Sequence, residues 1–170
     1  MPSPQMTPTA PMTKHDRVQV QGSGDMNSEE CIFCNLLRGH GEAVWIARRE
    51  RASALRPLEA DQLAPGHALV ISNDHALGIQ DASPQTVEAV ALLAQEIAQA
   101  MSQVVGAGGV NILNASGADS DQSVLHFHVH VVPRWHADGL DTWPSTVSTH
   151  TLDHGWTSAL QHALATASRP

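Results

Sequence analysis

The chain has 170 residues, 42% of them hydrophobic and 15% charged, with a formal net charge of −8. That size and apolar content suit one domain able to bury a core, with or without a tail. Nine scattered basic residues against seventeen acidic ones argue against a nucleic-acid footprint. No run approaches the ~18 consecutive apolar residues of a membrane span, and the first residues lack the charged start and apolar run of a secretory signal. A cytoplasmic protein without membrane or nucleic-acid partners is therefore the expectation.

Residues 1–28 read as a disordered tail, because Pro2, Pro4, Pro8 and Pro11 alternate with polar residues and Gly22-Ser23-Gly24 follows. The domain is placed at 29–145 and a C-terminal extension at 146–170. Cys31–Arg38 is read as a short apolar helix or turn ended by Gly39. Val44–Arg48 and Ala52–Leu55 are read as the strands of a hairpin turning at Arg49-Glu50-Arg51. Pro65-Gly66 signals a turn before a buried strand, His67–Ser72.

Ser83 is a good N-cap and Pro84 suits the first helical position. Val87, Val90, Ala91, Ala94, Ile97, Ala98 and Met101 then recur at three- and four-residue steps, which predicts one long amphipathic helix closed by Gly106, Gly108 and Gly109. Val110–Leu113 is a predicted strand, Asn114–Asp121 a polar loop and Ser123–Pro133 a second strand. A weaker helical pattern spans Thr157–Ala167 within the C-terminal extension. Links between strands are mostly too short for parallel crossovers, so the fold class is α+β with a mainly antiparallel sheet.

Eleven histidines are unusual, and three fall in one pentapeptide, His126-Phe-His128-Val-His130. Side chains alternate faces along a strand, so these imidazoles share one face while Phe127, Val129 and Val131 share the other. Two chemistries fit. Alternating histidines can hold a catalytic metal. Alternatively, one neutral imidazole attacks phosphorus while its neighbours hold phosphate oxygens. The preceding loop, Gly117 to Ser123, offers an amide, a hydroxyl and backbone N–H groups, and so favours the second reading. Cys31 and Cys34, two residues apart, suit a metal or redox pair, and two buried thiols without metal would be the plainer alternative.

His126-Phe-His128-Val-His130-Val-Val resembles the His-φ-His-φ-His-φ-φ signature of the histidine triad (HIT) family, φ being apolar. Cys31-Ile-Phe-Cys34, Pro65-Gly66-His67, His75, the long helix, Asn111, Gly117, Gln122-Ser123 and Pro133-Arg134 follow the family's order. The likeness is greatest to a bacterial branch with zinc-binding members. The resemblance implies a HIT-like fold, with a five-stranded sheet, one long helix and shorter helices. It further implies a homodimer with a continuous sheet, and cleavage of purine nucleotides at the α-phosphate through a nucleotidyl-histidine. Nucleoside phosphoramidates and dinucleoside polyphosphates would be the substrate class.

By the same resemblance His128 is the nucleophile, and His130 and Ser123 contact phosphate. Gln122 lies near the leaving group and Glu59 near the ribose, while His67 and Asn111 complete the substrate site. Cys31, Cys34, His75 and His126 would hold a structural zinc. Three positions depart from the family pattern. Asp121 stands where glycine is usual, and Ala115 where many members have an asparagine that reaches the phosphate. Glu59 replaces an aspartate. Asn114, one position from Ala115, is expected to point to the other face. Besides a hydrolase, a nucleotide-binding protein with weak turnover and a metal-dependent enzyme remain as readings.

Overall fold

A computed structural model describes residues 28–144 and 146–167. Apart from Ser28, the predicted tail lies outside the described residues. The chain divides into two units, residues 1–136 and 137–170. The first holds α1 (Ile32–Leu37), β1 (Trp45–Arg48), β2 (Ala52–Leu55), β3 (Ala68–Ser72), α2 (Pro84–Val104), β4 (Gly109–Leu113) and β5 (His128–Arg134); α3 (Trp156–Thr166) lies in the second. Among the described residues, no helix is long and apolar enough to cross a membrane.

The five strands form one antiparallel sheet in the order β1-β2-β3-β5-β4. Its centre is covered on both faces, which explains why β2 and β3 are buried at every position. Ala52, Ala54, Ala68, Val70, Phe127, Val129 and Val131 form one core cluster with α2. Leu55, Leu69 and Ile71 turn the other way and pack with Cys31, Phe33 and Cys34 of the α1 segment. Val70 and Ile71 are completely buried, each such burial contributing about 1.5–3 kcal/mol.

The cap of α2 is as the sequence predicts, with the Thr86 N–H donating to Ser83 Oγ at 3.1 Å. Its apolar stripe is rotated slightly from the expected one. Thr86, Val90, Leu93, Ala94, Ile97 and Met101 are buried, whereas Ala91 is exposed. The sheet takes the larger Leu93 in preference to the alanine. Gly106, at φ +65°, ends the helix in the left-handed region open to glycine.

The histidine strand is shorter than predicted. It begins at His128, and Ser123–Phe127 lie outside it. Phe127 still behaves like a strand residue: its carbonyl accepts from the Ser72 N–H at 3.1 Å, but its N–H donates to Ala76 rather than continuing the ladder. β3 ends at Ser72, and no partner strand remains to carry the pairing further.

Candidate active site and metal centre

Below the sheet, on the face away from α2, the histidines divide into two groups. His126 lies against the α1 segment, with Nδ1 at 3.3 Å from Cys31 Sγ, 3.5 Å from Cys34 Sγ and 3.4 Å from His75 Nδ1. His75 Nδ1 is also 3.3 Å from Cys34 Sγ. The four side chains offer ligand atoms that all lie within 4.8 Å of one another. A tetrahedral zinc with the usual bond lengths spaces its nitrogen and sulfur ligands about 3.3–3.8 Å apart, so most of these distances already match its edges.

The hydrogen bonding of His126 suits the same role. His126 Nε2 lies 2.8 Å from the Ser72 carbonyl, so Nε2 carries the proton and Nδ1 turns its lone pair to the thiols. Ser72 Oγ adds a contact at 3.1 Å. His75 Nε2 is buried without a hydrogen-bond partner. Burial, then the charge and hydrogen bonding of Cys31, push the Cys34 thiol up to about 11. Two thiols, the His126 lone pair and His75 Nδ1 converge on one point, and a divalent cation there would stabilise both thiolates and take both imidazoles as ligands. The residues therefore fit a closed Cys2His2 zinc centre with no position left for chemistry.

The second group begins one strand step further on. His128 Nδ1 donates to the His126 carbonyl at 2.7 Å. That bond fixes the tautomer: Nδ1 holds the hydrogen and Nε2 keeps a lone pair. Burial lowers the pKa of His128 below its ordinary value, although the bond to His126 works the other way. The ring is therefore neutral near pH 7. Phe33 packs edge-on against both His126 and His128, with centroids 5.6 and 5.4 Å away.

His130 is oriented through His67. The Leu63 N–H donates to His67 Nδ1 at 3.1 Å, so His67 carries its hydrogen on Nε2. His67 Nε2 lies 3.0 Å from His130 Nδ1, and the rings stack. His67 must donate there, which leaves His130 Nε2 with a hydrogen to offer a ligand. Burial lowers both groups to about 4, and for His130 the nearby His128 and His67 add to it. A neutral ring with a free lone pair and a neutral donor thus stand side by side, their centroids 5.1 Å apart.

The remaining predicted residues are less tightly grouped. Asn111 faces Val132 in the β4–β5 ladder and accepts from Arg134 Nη1. Ser123 is exposed just before the triad. Gln122 is fully occupied by backbone: Oε1 accepts from the Gly117 N–H at 2.8 Å, and Nε2 donates to the Leu77 and Val124 carbonyls. It closes the loop that carries a short 3-10 turn, Ala118–Ser120. Glu59 opens another such turn, Glu59–Asp61, on the exposed link between β2 and β3.

Asn114 does not follow the face alternation expected of a strand residue. It lies beyond the end of β4, and its Nδ2 donates to the His128 carbonyl at 2.7 Å. Ser72 and Leu63 are also parts of the site that the sequence reading missed. Ser72 acts through its carbonyl as well as its hydroxyl and Leu63 through its N–H, and residue type does not reveal the main-chain contacts.

A sheet with a closed thiol–imidazole centre at one end of a histidine strand and two oriented neutral imidazoles at the other defines a histidine-centred α+β domain. Residues 39–137 match the model of the HIT domain family, and the chain belongs to that family. It is 36% identical over 110 residues to a HIT-like protein of Mycoplasma pneumoniae, covering 65% of this chain and 75% of that one. It is 32% identical over 117 residues to the adenosine 5'-monophosphoramidase hnt1 of Schizosaccharomyces pombe, covering 68% and 84%. A Zn-bound histidine triad family protein from Mycobacterium smegmatis superimposes with a TM-score of 0.63 at 31% identity, covering 84% of this chain and all of that one.

Proposed function

We propose that the protein is a nucleotide hydrolase that cleaves at the α-phosphate of nucleoside phosphoramidates or dinucleoside polyphosphates through a nucleotidyl-His128 intermediate. The observation that carries this reading is the Nδ1 bond of His128 to the His126 carbonyl, which leaves Nε2 as a lone pair on a neutral ring. That lone pair forms the bond to phosphorus while the bond to the leaving group breaks. The leaving group departs with its electron pair and is protonated from solvent. His130 Nε2–H stabilises the charge on phosphate oxygen. Water then displaces His128 and releases the nucleoside monophosphate.

The S. pombe relative, a monophosphoramidase by name, supports the substrate class. In this reading Ser123 and the loop N–H groups contact the phosphate, Gln122 holds that loop, and Glu59, His67 and Asn111 complete the purine nucleotide site. Zinc at Cys31, Cys34, His75 and His126 is structural in this reading, and the Zn-bound M. smegmatis neighbour supports the choice of metal. A homodimer in the cytoplasm completes the proposal. The alternative of one catalytic metal on all three triad histidines is disfavoured, because His126 Nδ1 faces the cysteines while His128 Nδ1 is bound to a carbonyl.

The test is a reaction with adenosine 5'-phosphoramidate quenched in alkaline denaturant, since a P–N bond to histidine is lost in acid, and read by intact-protein and peptide mass spectrometry kept at neutral to alkaline pH. The expected result is an adenylate on the peptide holding His128. Turnover without any such adduct under single-turnover conditions would overturn the covalent route.

A further inference from the structure

The geometry points to Asn114 as a positioning residue for His128, acting through the main chain of the nucleophile; this rests on the reading of His128 as that nucleophile. Successive carbonyls of a strand face opposite neighbours. The Phe127 carbonyl is taken by the Ser72 N–H on the β3 side, so the His128 carbonyl faces the β4 side. There the ladder has ended: its last pair is Leu113 with His130. A buried carbonyl at that point needs a donor, and the Asn114 side chain supplies one at 2.7 Å.

The amide is itself aimed. Ser116 Oγ donates to Asn114 Oδ1 at 2.9 Å and accepts from the Ile79 N–H at 3.1 Å. With Oδ1 serving as acceptor, Nδ2 is the end that meets His128. Gly78 makes room for this arrangement, since a Cβ there would lie 2.9 Å from Ser116 Cβ. His128 is therefore fixed at two points: its ring by the His126 carbonyl and its own carbonyl by Asn114, each at 2.7 Å. Ala115 cannot offer an amide, and its neighbour provides one to the protein instead of to a ligand.

The informative variant is Asn114→Asp, which keeps the shape and the acceptor for Ser116 but has no N–H for His128. In the full-length, zinc-loaded protein it should lower kcat for adenosine 5'-phosphoramidate about ten- to hundredfold, the scale of a misplaced catalytic group. KM and zinc content should stay within about twofold of wild type. The 15N ring signals of His128, expected to report a single Nδ1–H tautomer in the wild type, should shift or broaden. Ser116→Ala, which leaves the amide but frees it to turn, should show a smaller loss in the same direction and serves if Asn114→Asp does not fold. Wild-type kcat with unchanged His128 signals, or a raised KM at unchanged kcat, overturns the assignment. Absence of an adenylate on wild-type His128 would fail the functional reading alone; the ring signals still decide the role of Asn114.

Discussion

His126 and His128 share one hydrogen bond that joins the two halves of the site: the His126 carbonyl accepts from His128 Nδ1 at 2.7 Å, while the His126 ring stands 3.3 Å from Cys31 Sγ. One residue thus contributes its side chain to the candidate metal centre and its main chain to the candidate nucleophile. Whatever holds the His126 ring also holds the acceptor that sets the tautomer of His128.

Zinc removal should therefore be felt twice. The purified protein should carry about one zinc per chain, as a single four-ligand centre requires. Cys31→Ser should lower zinc content and reduce Tm by more than about 5 °C, the effect of losing a few kcal/mol in a domain of this size. It should also lower kcat, because His126 is no longer tethered. Metal analysis, thermal unfolding and steady-state rates check the three parts. A metal-free wild type with a Tm indifferent to chelator would remove the zinc centre from the account.

His128→Ala should abolish turnover and leave the affinity for a nucleoside monophosphate within a small factor, since in the proposed reaction the ring acts on phosphorus while the other contacts hold the nucleotide. In the wild type, protonating His128 removes its lone pair. Burial lowers its pKa, so the acid limb of kcat/KM should lie below the ordinary histidine value of about 6.5. A limb centred above that value would mean that a different group controls the step.

Stability should also fall in acid, through His67 and His130. Their folded-state values are pushed down to about 4 by burial, against about 6.5 in the unfolded chain. Between those values the unfolded state binds more protons, so the stability they contribute is full above about pH 6.5 and is lost as pH falls through about 4. His67→Gln can keep the bonds to Leu63 and His130 without titrating. Denaturant titrations from pH 7.5 to 4 should show its pH dependence reduced by about one bound proton, and an unchanged slope would mean that His67 takes up its proton freely in the folded protein.

The fold was legible because its signals are local. Ser83-Pro84 starts α2 where expected, and the alternation of Phe127, Val129 and Val131 identifies the core side of β5. The histidines stand out by type and spacing, and the family resemblance alone groups Cys31, Cys34, His75 and His126, which the fold brings together. Three features were hidden for a common reason. The late start of β5, the turn of Asn114 toward His128 and the occupation of Gln122 all depend on where neighbouring strands stop and which backbone groups are then left over. That is a property of the assembled sheet, and no window of sequence contains it.

Asp121 offers the sharpest test of the departures from the family pattern. It ends the short turn of the loop at φ +58° and ψ +30°, the left-handed region. A side chain there is strained, and glycine adopts the conformation freely. The carboxylate is exposed, yet it sits beside Gln122 and Ser123 in the loop proposed to meet an anionic phosphate. Asp121→Gly should therefore act in two separable ways. Relief of the left-handed conformation should stabilise the fold by about 0.5–1 kcal/mol, partly offset by the added freedom of glycine in the unfolded chain. Loss of the negative charge should raise kcat/KM for a nucleoside phosphoramidate modestly, since repulsion near a solvated surface is on the order of 1 kcal/mol. Only the second effect is screened by salt. The gain in kcat/KM should then shrink between low and high ionic strength, while the rise in Tm stays. A variant less active than wild type at every salt concentration would mean that the carboxylate assists the reaction, and the repulsion argument would be wrong.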